Sequence, residues 1–187
     1  TIYIILTVVE IIFLLIGKMP LFDTLCLSFG TAGTGGFGIK NDSIASYSTY
    51  NQVVITVFMI LFGINFNAYY LLLTKKVMQA AKNEEVRYYL GIIGLAIVAI
   101  AINTRDMFTS FGRAFQQAAF QVGSIITTTG YATTDFNVWP VFSKTILVIL
   151  MFVGACAGST GGGIKVSRLL ILCKSARKEL QLYLHPN

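Results

Sequence analysis

The chain has 187 residues, 55% of them hydrophobic and 12% charged, with a mean hydropathy of +0.72 and a net charge of +6. Soluble globular proteins carry about 25% charged residues, so this chain has too few charges to cover a water-facing surface and reads as a membrane protein. Its basic excess forms no stripe interleaved with stacking aromatics, which disfavours nucleic acid as a partner and fits the loop-charge bias of a membrane protein.

Four long apolar segments order the chain: Ile2 to Ile16, interrupted by Thr7 and Glu10; Val53 to Leu73; Tyr88 to Ile102; and Ile146 to Leu172, broken by GACAGSTGGGIK. A spanning helix needs about 20 apolar residues. The second and fourth segments meet that length, and the first and third approach it. Between them lie Leu21 to Thr31 and Phe111 to Ile126, too short to span, which read as half-spanning helices. Each ends in a Thr/Gly-rich run, TGGFG from Thr34 and TTGYA from Thr128, and each run leads into a polar loop. The chain starts inside an apolar stretch with neither an initiator Met nor a signal-peptide pattern, and is expected to be a piece of a longer membrane protein.

The order long helix, short helix, Thr/Gly turn, polar loop, long helix therefore occurs twice. At an offset of 94 residues Gly36 falls on Gly130, Thr34 on Thr128, Phe37 on Tyr131 and Phe58 on Phe152. The division expected is one pore repeat over 1–80 and a second over 81–187. Symmetry-related repeats are common in transport proteins, with the site at the repeat interface. Lys75, Lys76, Lys82, Arg87, Arg168, Lys174, Arg177 and Lys178 cluster on the side opposite the turns, outnumbering Lys18, Lys40, Arg105, Arg113 and Lys144. That bias places the turns outside and the long-helix ends in the cytoplasm.

Two glycine runs invite a nucleotide reading. GTAGTGGFG contains G-x-G-x-x-G through Gly33, Gly35 and Gly38, but a polar loop follows instead of a helix, and after Asp42 the next acidic residue is Glu84. In GSTGGGIK, Ile164 separates Gly163 from Lys165 and Val166 follows, so the P-loop register is lost. An ion filter fits better. Dehydrating a small cation takes a ring of inward-pointing carbonyls, and glycine allows the backbone conformations that such a ring needs. Both turns read Thr, one residue, Gly, aromatic, close to the potassium-channel TVGYG. The preceding short helices would aim C-termini carrying about −0.5 charge at the path.

The fourth segment is expected to be a real break, because Gly161, Gly162 and Gly163 in a helix interior would cost roughly 1 kcal/mol each. Unwound backbone there would line the pore as a flexible constriction, although Gly154/Gly158 and Gly158/Gly162 also suit close helix packing. Lys165 and Glu10 are intramembrane charges. Lys165 can act in function or snorkel to an interface, and Glu10 can act in function or hydrogen-bond to a neighbouring helix. Asn65 and Asn67 are expected mid-helix, bonding between helices. Cys26, Cys156 and Cys173 are scattered, and the single histidine, His185, lies near the C-terminus. No disulfide framework, metal cluster or convergent catalytic set emerges, so no enzyme activity and no cofactor is expected. A membrane-embedded enzyme is the alternative from a different class.

ITTTGYATTDFNVWP followed by GACAGSTGGGIKVSRLLIL resembles the third repeat of the Trk/Ktr/HKT potassium-transporter superfamily, and LFDTLCLSFGTAGTGGFGIKNDS resembles its second repeat. RKELQLYLHPN is similar to the bacterial TrkH-type branch. The resemblance implies an all-α membrane fold built of helix–pore helix–helix repeats around a pseudo-fourfold pore, in a multi-pass plasma-membrane protein of the bacterial inner membrane. It implies potassium as the transported ion, a homodimer, and a cytosolic nucleotide-binding regulatory ring. It places the filter at Gly33, Thr34, Gly35, Gly36, Thr127, Thr128, Thr129 and Gly130. The gate falls at Gly158, Ser159, Thr160, Gly161, Gly162, Gly163 and Lys165. Gly33 and Gly35 stand where the family carries bulkier residues, which keeps a sodium-permeable or sodium-coupled relative open as the alternative.

Overall fold

Eight helices carry the described part of the chain: α1 (Ile2–Ile16), α2 (Leu21–Ala32), α3 (Thr49–Phe62), α4 (Phe66–Leu73), α5 (Glu84–Asn103), α6 (Phe111–Ile126), α7 (Val141–Phe152) and α8 (Val166–Leu184). The computed structural model describes residues 2–76, 78–79 and 82–184, so His185 lies outside the described residues. Two short 3-10 turns, Arg105–Met107 and Phe136–Val138, precede α6 and α7, and a single parallel bridge joins Val153 to Ile164.

Helix starts follow local chemistry. Ser48 and Ser110 cap α3 and α6 by accepting the N–H of Asn51 and Arg113, each at 3.3 Å. Asn83 caps α5 through the N–H of Glu85 at 3.0 Å. Such caps satisfy donors that have no partner inside the helix. Pro20 and Pro140 stand immediately before α2 and α7, where a missing N–H costs nothing.

Each repeat packs its own core. Leu14, Leu27, Ile55, Met59 and Phe62 form one, and Ile93, Ile97, Ile100, Val122, Ile126 and Leu147 form the other. Phe120 and Tyr131 of the second repeat insert into the first core, and α3 lies along α6. The order of a helix, a helix ending in a Thr/Gly turn and a further helix thus occurs twice, through α2 and α6, although α6, at 16 residues, is longer than α1, α3 and α7. Exposed aliphatic side chains on α1 (Ile4, Ile5, Val8, Ile12) and α5 (Leu90, Leu95, Val98, Ile102) suit apolar surroundings.

The second apolar segment departs from expectation. It is not one span. α3 and α4 meet at a 92° bend over Gly63–Asn65, and only α5, among the described residues, is by itself long and apolar enough to cross a membrane. Tyr89 drives its hydroxyl into this bend and donates to the Ile60 carbonyl at 3.2 Å. A Cβ on Gly63 would sit 2.1 Å from the Tyr89 hydroxyl oxygen. Tyr69 donates to Leu61 O at 2.7 Å, and Asn65 restarts the helix by accepting the N–H of Asn67 at 2.8 Å. Asn65 and Asn67 therefore open α4 and do not sit mid-helix. Carbonyls freed by the bend find these partners, which is the condition for a broken helix at membrane depth.

The fourth segment breaks where the glycines predict, between Phe152 and Val166. The two breaks meet: Cys156 N–H donates to Gly63 O at 3.1 Å, Phe66 N–H to Gly158 O at 3.3 Å, and Thr160 Oγ1 to Phe62 O at 3.4 Å.

Candidate functional site

The Thr/Gly turns end α2 and α6 with one and the same backbone pattern. In the first, Gly33 N–H bonds Phe29 O, Thr34 N–H bonds Thr31 O and Gly35 N–H bonds Gly30 O. In the second, Thr127 bonds Gly123, Thr128 bonds Ile125 and Thr129 bonds Ser124 in the same sense. The last two bonds in each set make a Schellman termination, which needs a left-handed residue just past the cap. Glycine usually stands there, yet here it is threonine both times, Thr34 at φ 51° and Thr128 at φ 58°. A β-branched residue held in that region costs on the order of 1–3 kcal/mol. Two residues on, Gly36 (φ 71°) and Gly130 (φ 90°) are left-handed again. The offset of 94 seen in the residues is thus repeated in the dihedral angles.

The turns lie against each other. A Cβ on Gly36 would fall 1.9 Å from the Thr129 carbonyl oxygen, so glycine is required there by approach as well as by φ. Tyr131, almost fully buried, crosses to the first repeat, where its hydroxyl donates to Leu27 O at 3.2 Å and fills the space a Cβ on Gly30 would need. Phe37, its counterpart, is 85% exposed.

Support for the two turns is unequal. The second is braced by Ser124 Oγ donating to Tyr131 O at 2.6 Å, by a 2.7 Å hydroxyl pair between Thr127 and Thr129, and by Thr127 Oγ1 donating to Gly123 O at 2.7 Å. Gly30, Gly33 and Gly35 occupy the matching positions of the first turn and bring no hydroxyl. Its outer flank is held instead through the following loop. There Tyr47 donates to Asp23 at 2.8 Å, and Gln52 Nε2 donates to the carbonyls of Ile44, Ala45 and Tyr47 at 3.1–3.2 Å. Burial, then the Asp23 carboxylate, raises the Tyr47 phenol above its ordinary range.

The glycine-rich loop closes on the threonine end of both turns. Thr34 Oγ1 donates to Thr160 O at 3.3 Å, and Gly162 N–H donates to Thr128 Oγ1 at 2.7 Å. Gly161 packs against the Thr127 carbonyl, where a Cβ would come to 3.1 Å. Gly158 and Gly163 adopt φ 72° and 73°, and Ser159 Oγ donates to Cys156 O at 2.6 Å. Lys165, half-buried, donates its ammonium to Gly161 O inside the same loop. Of the residues predicted for the turns and the loop, Thr34, Gly36, Thr127, Thr128, Thr129, Gly130, Thr160, Gly161 and Gly162 come together. Glu10 lies apart from them: it is fully buried, with the Thr31 hydroxyl of the neighbouring helix α2 beside its carboxylate.

Sequence reasoning passed over Tyr131 as a strut between repeats and Glu85 altogether. Glu85 is 9% exposed and reaches into the loop from the start of α5. An acid in the first turn of a helix reads as ordinary dipole complementarity, and nothing in the spacing singled this one out.

A family model for TrkH, described as a cation transport protein, matches residues 96–187. The crystal structure of the potassium transporter TrkH from Vibrio parahaemolyticus superposes with a TM-score of 0.92 at 33% identity, covering 100% of this chain and 41% of that one. The chain is TrkH-like over its whole length. The Trk system potassium uptake protein TrkH of Salmonella typhimurium is 33% identical over 190 residues, spanning 100% of this chain and 39% of the relative. TrkG of Escherichia coli is 33% identical over 90% of this chain and 35% of its own length. The chain thus spans about two-fifths of the length of the TrkH relatives it matches, and what those relatives are named for, potassium uptake, is a property of proteins more than twice as long.

Proposed function

We propose that the chain supplies two repeats, 1–80 and 81–187, of a potassium-uptake pore in the bacterial inner membrane. Carbonyls of Gly33–Gly36 and Thr127–Gly130 form half of the ion filter, and the Gly158–Lys165 loop closes the path beneath it. One observation carries this reading: two turns 94 residues apart share hydrogen bonds and left-handed positions, and a single loop bonds to the threonine end of both. A cation shedding water needs carbonyl oxygens at fixed spacing, and two strained threonines held identically are what such spacing requires. The C-termini of α2 and α6 add their negative ends at the same place. The exposed Phe37 supports an incomplete ring. Its counterpart Tyr131 packs on the neighbouring short helix, and Phe37 needs an equivalent partner from a further repeat. The turns face outward, potassium is cargo and no covalent chemistry is involved. The whole protein works as a homodimer on a cytosolic nucleotide-binding ring.

Rubidium uptake into vesicles holding the full-length protein tests this. Deleting Gly158 to Gly163 should raise uptake several-fold while rubidium stays favoured over sodium. Unchanged uptake would remove the gate from this reading. The second reading, a sodium-permeable relative, is favoured by the bare glycines at positions 30, 33 and 35, which leave the first turn without the hydroxyl bracing of the second. Sodium uptake equal to rubidium uptake in the same vesicles would select it.

A further inference from the structure

Glu85 holds a position that the pore reading does not use. Its carboxylate receives three donors from three places. Oε1 accepts the N–H of Ala157 at 2.6 Å and of Ser167 at 3.2 Å, and Oε2 accepts the amide Nδ2 of Asn65 at 3.2 Å. Ala157 immediately precedes Gly158, and Ser167 lies two residues beyond Lys165, so one carboxylate grips both ends of the glycine-rich segment. Asn65 stands at the 92° bend between α3 and α4. Its orientation is settled, because Oδ1 already caps α4 through the N–H of Asn67 and only the amide nitrogen is left for Glu85.

The chemistry suits an anion. Ser167 lies in the first turn of α8, where free N–H groups and the helix dipole favour negative charge. Hydrogen bonds to a charged acceptor are about twice as strong as neutral ones. Glu85 is itself fixed, since its own N–H is held by Asn83 at 3.0 Å and its side chain is 9% exposed. Glycines at 158, 161, 162 and 163 leave the segment between the two gripped points with little stiffness of its own. Its position must therefore come from its ends and from the contacts with Thr34 and Thr128.

We infer that Glu85 is a positioning residue that latches the glycine-rich loop in its closed place, tying both ends of the loop to the bend of the first repeat's inner helix. The inference rests on the reading of that loop as the gate, and it adds that the closed state is held by a carboxylate from a different helix. Opening the loop then requires breaking the two N–H bonds to Oε1.

Glu85→Gln in the full-length protein keeps size and shape but sets an NH2 donor against either the Asn65 amide or the two loop N–H groups. Hydrogen exchange of the reconstituted protein reads the loop directly. Amides in 154–168 should exchange about tenfold faster or more, the factor that losing one hydrogen bond to a charged group carries, while those of α6 stay unchanged. Rubidium uptake should rise by a similar factor with rubidium/sodium preference intact. Glu85→Asp, which keeps the charge on a shorter stem, should fall between the two. Unchanged exchange across 154–168 in Glu85→Gln overturns the latch. Faster exchange there with unchanged rubidium uptake upholds the latch and removes the gate reading beneath it.

Discussion

Replacing Gly36 by alanine tests the contact between the two turns with one atom. The new Cβ would lie 1.9 Å from the Thr129 carbonyl oxygen and 3.2 Å from the Gly130 Cα. Side-chain carbons do not approach closer than 3.0 Å, so the Thr129 carbonyl or the Gly36 backbone must give by at least 1.1 Å. The residue also sits at φ 71°, which costs an L-amino acid about 1–2 kcal/mol on its own. Neither term relaxes cheaply. Thr129 is locked by its hydroxyl pair with Thr127 and by its N–H bond to Ser124 O at 2.9 Å, so the displacement is forced onto carbonyls proposed to face the ion. Every 1.4 kcal/mol lost from the preference for one ion is a factor of ten. Rubidium over sodium uptake by vesicles holding Gly36→Ala should therefore fall by about tenfold or more. Gly35→Ala is the internal control: that glycine has no left-handed φ, and its added Cβ finds nothing nearer than 3.6 Å. Equal rubidium/sodium ratios for the wild type and Gly36→Ala, with the variant folded and inserted, would refute the assignment of these turns to ion selection.

Two further outcomes follow from the same packing. Gly33→Thr with Gly35→Thr copies into the first turn the hydroxyl pair that braces the second. Since neither position is left-handed, the rubidium/sodium ratio should increase, and a ratio that stays the same would show that this bracing does not bear on selectivity. Gly63→Ala would bring a Cβ to 2.1 Å from the Tyr89 hydroxyl and should lower thermal stability by about 1–3 kcal/mol, the usual cost of overpacking. Adding Tyr89→Phe should recover part of that loss in a thermal unfolding assay, and no recovery would mean that the Tyr89 hydroxyl does not set the bend.

Much of the architecture is legible in the residues because the signals are local. Apolar length marks α1 and α5. Phe111–Ile126 coincides with α6, and Leu21–Thr31 stops one residue short of α2. The Thr/Gly turns are legible because helix termination is a short-range event needing a left-handed residue within a few positions. The glycine run at 161–163 is legible for the converse reason, a local cost that no helix interior absorbs. The bend at Gly63 escaped notice although Gly63 and Asn65 are a stop and a start signal two residues apart. Apolar continuity from Val53 to Leu73 outweighed them, and what opens the bend is Tyr89, from another repeat.

Composition and periodicity by themselves determined that the chain is helical, lives in a membrane, repeats itself once, and ends each short helix in a threonine–glycine turn. The tertiary structure decided what those turns touch: Gly36 against the Thr129 carbonyl, Tyr131 against α2, the glycine loop against Thr34 and Thr128, and Glu85 across the ends of that loop. The difference lies in range. Helix propensity, capping and apolar length are read over a few neighbouring residues, whereas Glu85 meets its loop partners 72 and 82 positions further along the chain, through a bend that neither stretch encodes alone.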